Sequence, residues 1–88
     1  MRIEVTEHDI RAARRNGVDN PLTLALRRVV GNEWFVVDGH RQEVALYQLS
    51  PPFRAIVLPG RVVSLLRAWK DSEVIQPFEV ELDVPRPH

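Results

Sequence analysis

The chain has 88 residues, 44% hydrophobic and 27% charged, with twelve basic and twelve acidic side chains that cancel. That length supports one hydrophobic core but not two, and the composition excludes a disordered, collagen-like or repetitive chain. With no cysteine there is no disulfide framework, thiolate metal site or cysteine nucleophile, and the zero net charge removes the strongest whole-chain argument for nucleic-acid binding.

At the amino terminus Ile3 and Val5 alternate with Arg2 and Glu4, which predicts a short strand with one apolar face. Thr6 then offers a side-chain oxygen as a cap, and the Thr6-x-x-Asp9 spacing supports a helix from about Glu7 to Arg15. That helix is expected to bury Ile10 and Ala13 and to stop at Asn16-Gly17. Asn20 before Pro21 reads as a cap with proline at the first helical position, where a missing N–H costs nothing. Leu22, Ala25, Leu26 and Val29 then form an apolar stripe, and Gly31-Asn32 ends the second helix.

Glu33 to Asp38 is dense in aromatic and β-branched residues, Asp38-Gly39 signals a turn, and Glu43 to Leu49 resumes a strand pattern, together predicting a hairpin. Ser50-Pro51-Pro52 interrupts any ladder, and Phe53 to Leu58 can form a further edge strand. Pro59 can open a third helix with Val62, Leu65, Leu66 and Trp69 facing the core, Arg61, Arg67 and Lys70 facing out, and Asp71-Ser72 closing it. Phe78, Val80, Leu82 and Val84 alternate with Glu79, Glu81 and Asp83, the pattern of a half-buried antiparallel strand. The four-residue first strand is marginal alone and is expected to pair with this last one, bringing Arg2 near Glu79 or Glu81.

These elements predict a small single α+β domain over residues 1–84, with residues 85–88 a frayed tail. The architecture expected is an antiparallel or mixed sheet of four to five strands with three helices on one face, in the order β-α-α-β-β-(β)-α-β. Apolar runs never exceed four residues, far short of the roughly 20 that span a bilayer. The start Met1-Arg2-Ile3-Glu4-Val5 carries charge where a signal peptide needs an apolar stretch, which predicts a cytoplasmic chain with no membrane partner.

No reactive constellation can be assembled. His8, His40 and His88 lack metal-ligand spacing, the dispersed glycines form neither a phosphate loop nor a dinucleotide fingerprint, and no serine sits in a nucleophile elbow. The expectation is therefore a protein that is not an enzyme and that takes neither metal nor cofactor. Asp9 beside His8 is better explained as a helix cap than as a dyad, because helix neighbours point apart.

Charge is nevertheless segregated along the chain. From Ile10 to Val30 five arginines face one Asp19, an excess of four positive charges, whereas Asp71 to Val84 holds five acids and no base. Arg11, Arg14 and Arg15 on the first helix, with Arg27 and Arg28 closing the second, are candidates for a basic patch able to grip phosphates. Against this, Glu7 stands four residues before Arg11, and arginine at a helix carboxyl end answers the macrodipole. Glu79, Glu81 and Asp83 form an acidic stripe that could meet a basic partner. Trp34 is a candidate interface residue, whereas Trp69 reads as core.

Three stretches together, Ile3-x-Val5-Thr6-x-x-Asp9-Ile10, Pro21-x-x-x-Ala25-Leu26-Arg27-Arg28 and Val74-x-x-Pro77-Phe78-x-Val80-x-Leu82, resemble a family of short uncharacterised bacteriophage and prophage proteins. Asn20 stands where members often carry cysteine, and Ser72 where they carry glycine. The resemblance implies a mobile-element accessory protein inside a bacterial host cell, acting by binding a host or phage protein as an inhibitor or modulator. The alternative expectation is a small nucleic-acid-binding protein using the arginine patch, and the neutral charge also permits a homo-oligomer.

Overall fold

The computed structural model describes residues 1–39 and 44–85. Strands β1 (Arg2–Val5) and β5 (Phe78–Glu81) form one antiparallel pair, and β2 (Trp34–Val37), β3 (Ala45–Gln48) and β4 (Ala55–Val57) form a second antiparallel sheet. The helices are α1 (Glu7–Ala12), α2 (Pro21–Val30) and α3 (Gly60–Lys70), giving the order β-α-α-β-β-β-α-β. The α+β class and the element order agree with the sequence reading. The single sheet does not: the strands are divided between two.

The first strand does pair with the last. Ile3 lies opposite Val80 and Glu4 opposite Glu79, and Leu82 N–H donates to Met1 C=O at 2.8 Å. Arg2 forms an ion pair with Glu79, as the alternation predicts. The ladder ends at Glu81, yet Leu82 and Val84 remain buried, so the period-2 pattern outlasts the strand.

Side chains reach the strand edges that would have to merge and take up part of the hydrogen bonding a neighbouring strand would supply. Backbone groups pointing away from the ladder partner need hydrogen bonds, and a neighbouring strand is the usual source. In β2, Val36 N–H donates to Thr23 Oγ1 at 2.8 Å, and Val36 C=O accepts from Asn20 Nδ2 at 2.9 Å. Asp38 N–H donates to Gly17 C=O at 3.0 Å just beyond. Arg28 Nη2 donates to Glu4 C=O on the β1 edge and Arg61 Nη2 to Glu79 C=O on the β5 edge, both at 2.8 Å.

Helix α2 starts where its cap requires: Asn20 Oδ1 accepts from Thr23 N–H at 3.0 Å, Pro21 is first in the helix, and Gly31 closes it at φ 90°. Its Leu22 and Leu26, Val62 and Leu66 of α3, and Ile3 and Val36 from the two sheets belong to one core cluster. Full burial of each such leucine contributes about 1.5–3 kcal/mol.

Helix α1 begins at the predicted cap but stops at Ala12, three residues early, and Ala13 is already extended at ψ 150°. The backbone finds other partners there. Asn16 Oδ1 accepts from Val18 and Asp19 N–H groups at 3.1 and 2.8 Å, and Arg14 N–H donates to Asp19 C=O at 2.8 Å. Local bonds of this kind compete with helix continuation, and Gly17, at φ 93°, serves this loop instead of a helix cap. Ile10 and Ala13 are only half-buried, while Asp9 is buried.

Two further expectations need correction. Lys70 does not face out: its ammonium turns in against Asp38, donating to the Asp38 C=O and to Oδ1 at 3.2 Å. Trp34 is core, 3% exposed, with the Arg54 guanidinium carbon 5.3 Å from its ring centre. The β2 and β3 strands pair as the hairpin predicts, with Trp34 opposite Gln48 and Val37 opposite Ala45. The expected turn itself, with His40 and Glu43, and the tail from Arg86 to His88 lie outside the described residues.

Candidate interaction surface

The arginines predicted to form a basic patch have mostly found partners inside the molecule. Arg11 pairs with Glu7 at 2.6 Å and Arg27 with Asp19 at 2.7 Å. Arg15 lies beyond the end of α1, donates Nε and Nη2 to Trp69 C=O at 3.2 and 2.9 Å, and stacks 4.7 Å from the Trp69 ring centre. Arg14 is exposed and also off the helix, so the common helix face expected for Arg11, Arg14 and Arg15 does not form. The helix needed to align them ends at Ala12.

Arg28 is held most firmly. Nη2 lies 2.9 Å from Asp9 Oδ2 and 2.8 Å from Glu4 C=O. Asp9 also accepts from Thr6 N–H at 2.9 Å while Thr6 Oγ1 accepts from Asp9 N–H at 3.2 Å, a reciprocal capping box. Burial pushes the Asp9 carboxyl up, but bonds from Arg28 and from the Thr6 N–H and hydroxyl outweigh it and leave the pKa lowered. The hydrogen bond to Asp9 raises Arg28 in turn. A side-chain bond from Asn16 and then one from Arg27 lower Asp19.

The acidic stripe is exposed as predicted, but two of its members are also engaged. Glu79 pairs with Arg2, whose hydrogen bond lowers the Glu79 pKa, and Glu81 lies 3.0 Å from the amino terminus. Asp83 is exposed and has no ion-pair partner among the described residues. Among the described residues the two charge blocks do not pair with each other; each is met in part by other groups, the arginines by Glu7, Asp9 and Asp19 and the final strand by Arg2 and the amino terminus.

Half-buried and exposed apolar side chains gather elsewhere. The register of β2-β3-β4 places Phe35, Tyr47 and Ala55 in one cross-strand row and Val37, Ala45 and Val57 in the next. Alternation puts both rows on the face opposite the buried Val36 and Leu46. No charge interrupts the six. Phe35 and Tyr47 lie with ring centres 6.0 Å apart at 31°, within the range of a favourable aromatic pair. Val57 is 83% exposed. An adjoining groove of about 540 Å³ runs from Phe35 past Trp34 to Leu49, bordered by Val18, Arg27 and Asn32.

This surface was not among the sequence candidates, although its signal was present: Trp34-Phe35-Val36-Val37 does not alternate, so both faces of β2 had to be apolar. A second unpredicted feature is the Asp38–Lys70 pair, with Asp38 only 2% exposed and its Oδ2 lacking a hydrogen-bond partner among the described residues. Among the described residues no three metal-ligating side chains cluster, and no helix is long and apolar enough to cross a membrane. No protein-family model, curated protein or solved structure matches the chain.

Proposed function

We propose that this chain is a non-enzymatic interaction protein that binds another protein through the outer face of the β2-β3-β4 sheet. The observation that carries this reading is the uninterrupted apolar patch of Phe35, Tyr47, Ala55, Val37, Ala45 and Val57. Ala55 and Val57 are exposed and the other four half-buried, and a contiguous solvent-accessible apolar surface commonly marks a protein-binding site. The non-enzymatic part is supported by the duties of the perturbed carboxylates: Asp9 caps α1 and holds Arg28, and Asp19 holds Arg27. The resemblance to short bacteriophage and prophage proteins supports a mobile-element accessory role, as an inhibitor or modulator inside a bacterial cell. Nucleic-acid binding has weaker support, because Arg11, Arg15, Arg27 and Arg28 already hold protein partners.

The test is affinity capture from a bacterial lysate with the native chain and with Tyr47→Arg, each with and without nuclease. A protein partner retained after nuclease and lost with Tyr47→Arg supports the reading. Binding that survives Tyr47→Arg but disappears with nuclease or rising salt transfers the function to the arginines.

A further inference from the structure

Among the described residues, side chains reach three of the four outer strand edges and leave one untouched. Thr23 and Asn20 hold both backbone groups of Val36 on β2, Arg28 takes the Glu4 C=O on β1 and Arg61 takes the Glu79 C=O on β5. Strand β4 has β3 on one side only. Gln48 N–H donates to Arg54 C=O, so the antiparallel alternation turns the Arg54 and Ile56 backbone groups toward β3 and those of Ala55 and Val57 away from it. Among the described residues nothing hydrogen-bonds to these outward groups. Both residues are exposed and uncharged, and the short strand itself carries neither lysine nor proline.

We infer that two copies of this chain pair through β4, antiparallel about a two-fold axis at Ile56. In that register Ala55 of each copy faces Val57 of the other, and the outward N–H and C=O groups of both residues are all satisfied. The open stretch is therefore complementary to itself. Its ends match as well. Beyond the strand the chain turns away at Phe53, which sits at φ 55°, and at Pro59, which caps α3, and neither has a donor to orphan: Phe53 N–H already donates to Ser50 C=O at 2.9 Å, and proline has none. In this register Arg54 falls opposite Leu58 instead of a second arginine.

Charge does not oppose the union, since the chain is formally neutral. The axis stands perpendicular to the sheet, so both apolar outer faces fall on the same side of a continuous six-stranded sheet. The pairing stands without the proposed partner; only the use of the doubled face rests on that reading.

Sedimentation of the native chain, Val57→Pro and Val57→Thr tests it. Proline removes an N–H that points away from β3 and leaves the internal ladder untouched, whereas threonine keeps the N–H and the β-branched shape. The native chain and Val57→Thr are expected to sediment as dimers and Val57→Pro as a monomer. A native monomer at every concentration, or a Val57→Pro dimer, overturns the inference.

Cysteine pairs provide a test that does not depend on the proline variant folding. Directly opposed residues of a hydrogen-bonded pair have Cα atoms about 5.5 Å apart, inside disulfide range, while diagonal neighbours are about 7–8 Å apart and outside it. In this cysteine-free chain, Ala55→Cys mixed with Val57→Cys should cross-link under mild oxidation, and neither should do so alone. No cross-link in the mixture, or equal cross-linking in each variant alone, rejects the register. Neither result bears on capture of a partner by Tyr47, so the two proposals fail separately.

Discussion

Asp9 shows how much one short side chain can carry. It caps α1, accepts from Thr6 and anchors Arg28, which itself reaches back to the β1 edge at Glu4. Its folded pKa lies below the ordinary 3.8, so the unfolded state binds the proton more readily. The stability it contributes is full above 3.8 and is lost as pH falls through the lower folded value. Replacing Asp9 with asparagine should cost about 1.5–3 kcal/mol, the range for hydrogen bonds to charged groups. Urea unfolding at neutral pH measures that loss, and the same titration in acid should show a shallower pH dependence than the native chain. The Asp38–Lys70 pair makes a different prediction. Lys70→Met would strand a buried carboxylate, at a cost of roughly 3–5 kcal/mol, and Asp38→Asn in the same chain should recover part of it. An unchanged midpoint for Lys70→Met in denaturant would show that the carboxylate has another partner.

Among the elements, starts were legible in the sequence and stops were less so. Thr6, Asn20 and Pro21 act within three or four residues of themselves, so the cap geometry of α1 and α2 follows from local spacing. The end of α1 depends on Asn16 and Asp19 drawing the backbone into a different set of bonds, which no apolar periodicity reports. Strand edges were hidden for a similar reason. Asn20 and Thr23 read as residues of a helix start, yet they also serve β2 as its missing neighbour. Thr23→Val keeps the shape but leaves the buried Val36 N–H without an acceptor. It should lower stability by about 1–3 kcal/mol, measured by thermal or denaturant unfolding. Hydrogen exchange at the Val36 amide should accelerate in the same variant while the β3-β4 ladder stays protected.

For the molecule as a whole, the separation of charge along the chain is partly cancelled by folding. Of the five arginines from Ile10 to Val30, three pair with Glu7, Asp9 and Asp19, and Glu79 and Glu81 of β5 pair with Arg2 and the amino terminus. A surface neutralised in this way should bind DNA weakly. With a short duplex probe, no shift that depends steeply on salt is expected, because few counterions would be released. The free apolar face and open edge of β4 remain, and they direct attention to protein contacts instead.

The strands, helices, caps and pairing of the chain ends were determined by the sequence alone, because propensity, alternation and capping act over a few residues. The meeting of Arg2 and Ile3 with Glu79 and Val80 follows from matching alternation and opposite charge at the two ends of the chain. Only the tertiary structure decided that the strands divide into two sheets, that Trp34 is core and that the arginines are engaged. It also decided which face of β2-β3-β4 was left uncovered. Those outcomes depend largely on side chains reaching backbone groups 13 or more positions away, as Thr23 does at Val36, Arg28 at Glu4 and Arg15 at Trp69. Such contacts are set by the packing of whole elements, and local spacing does not encode them.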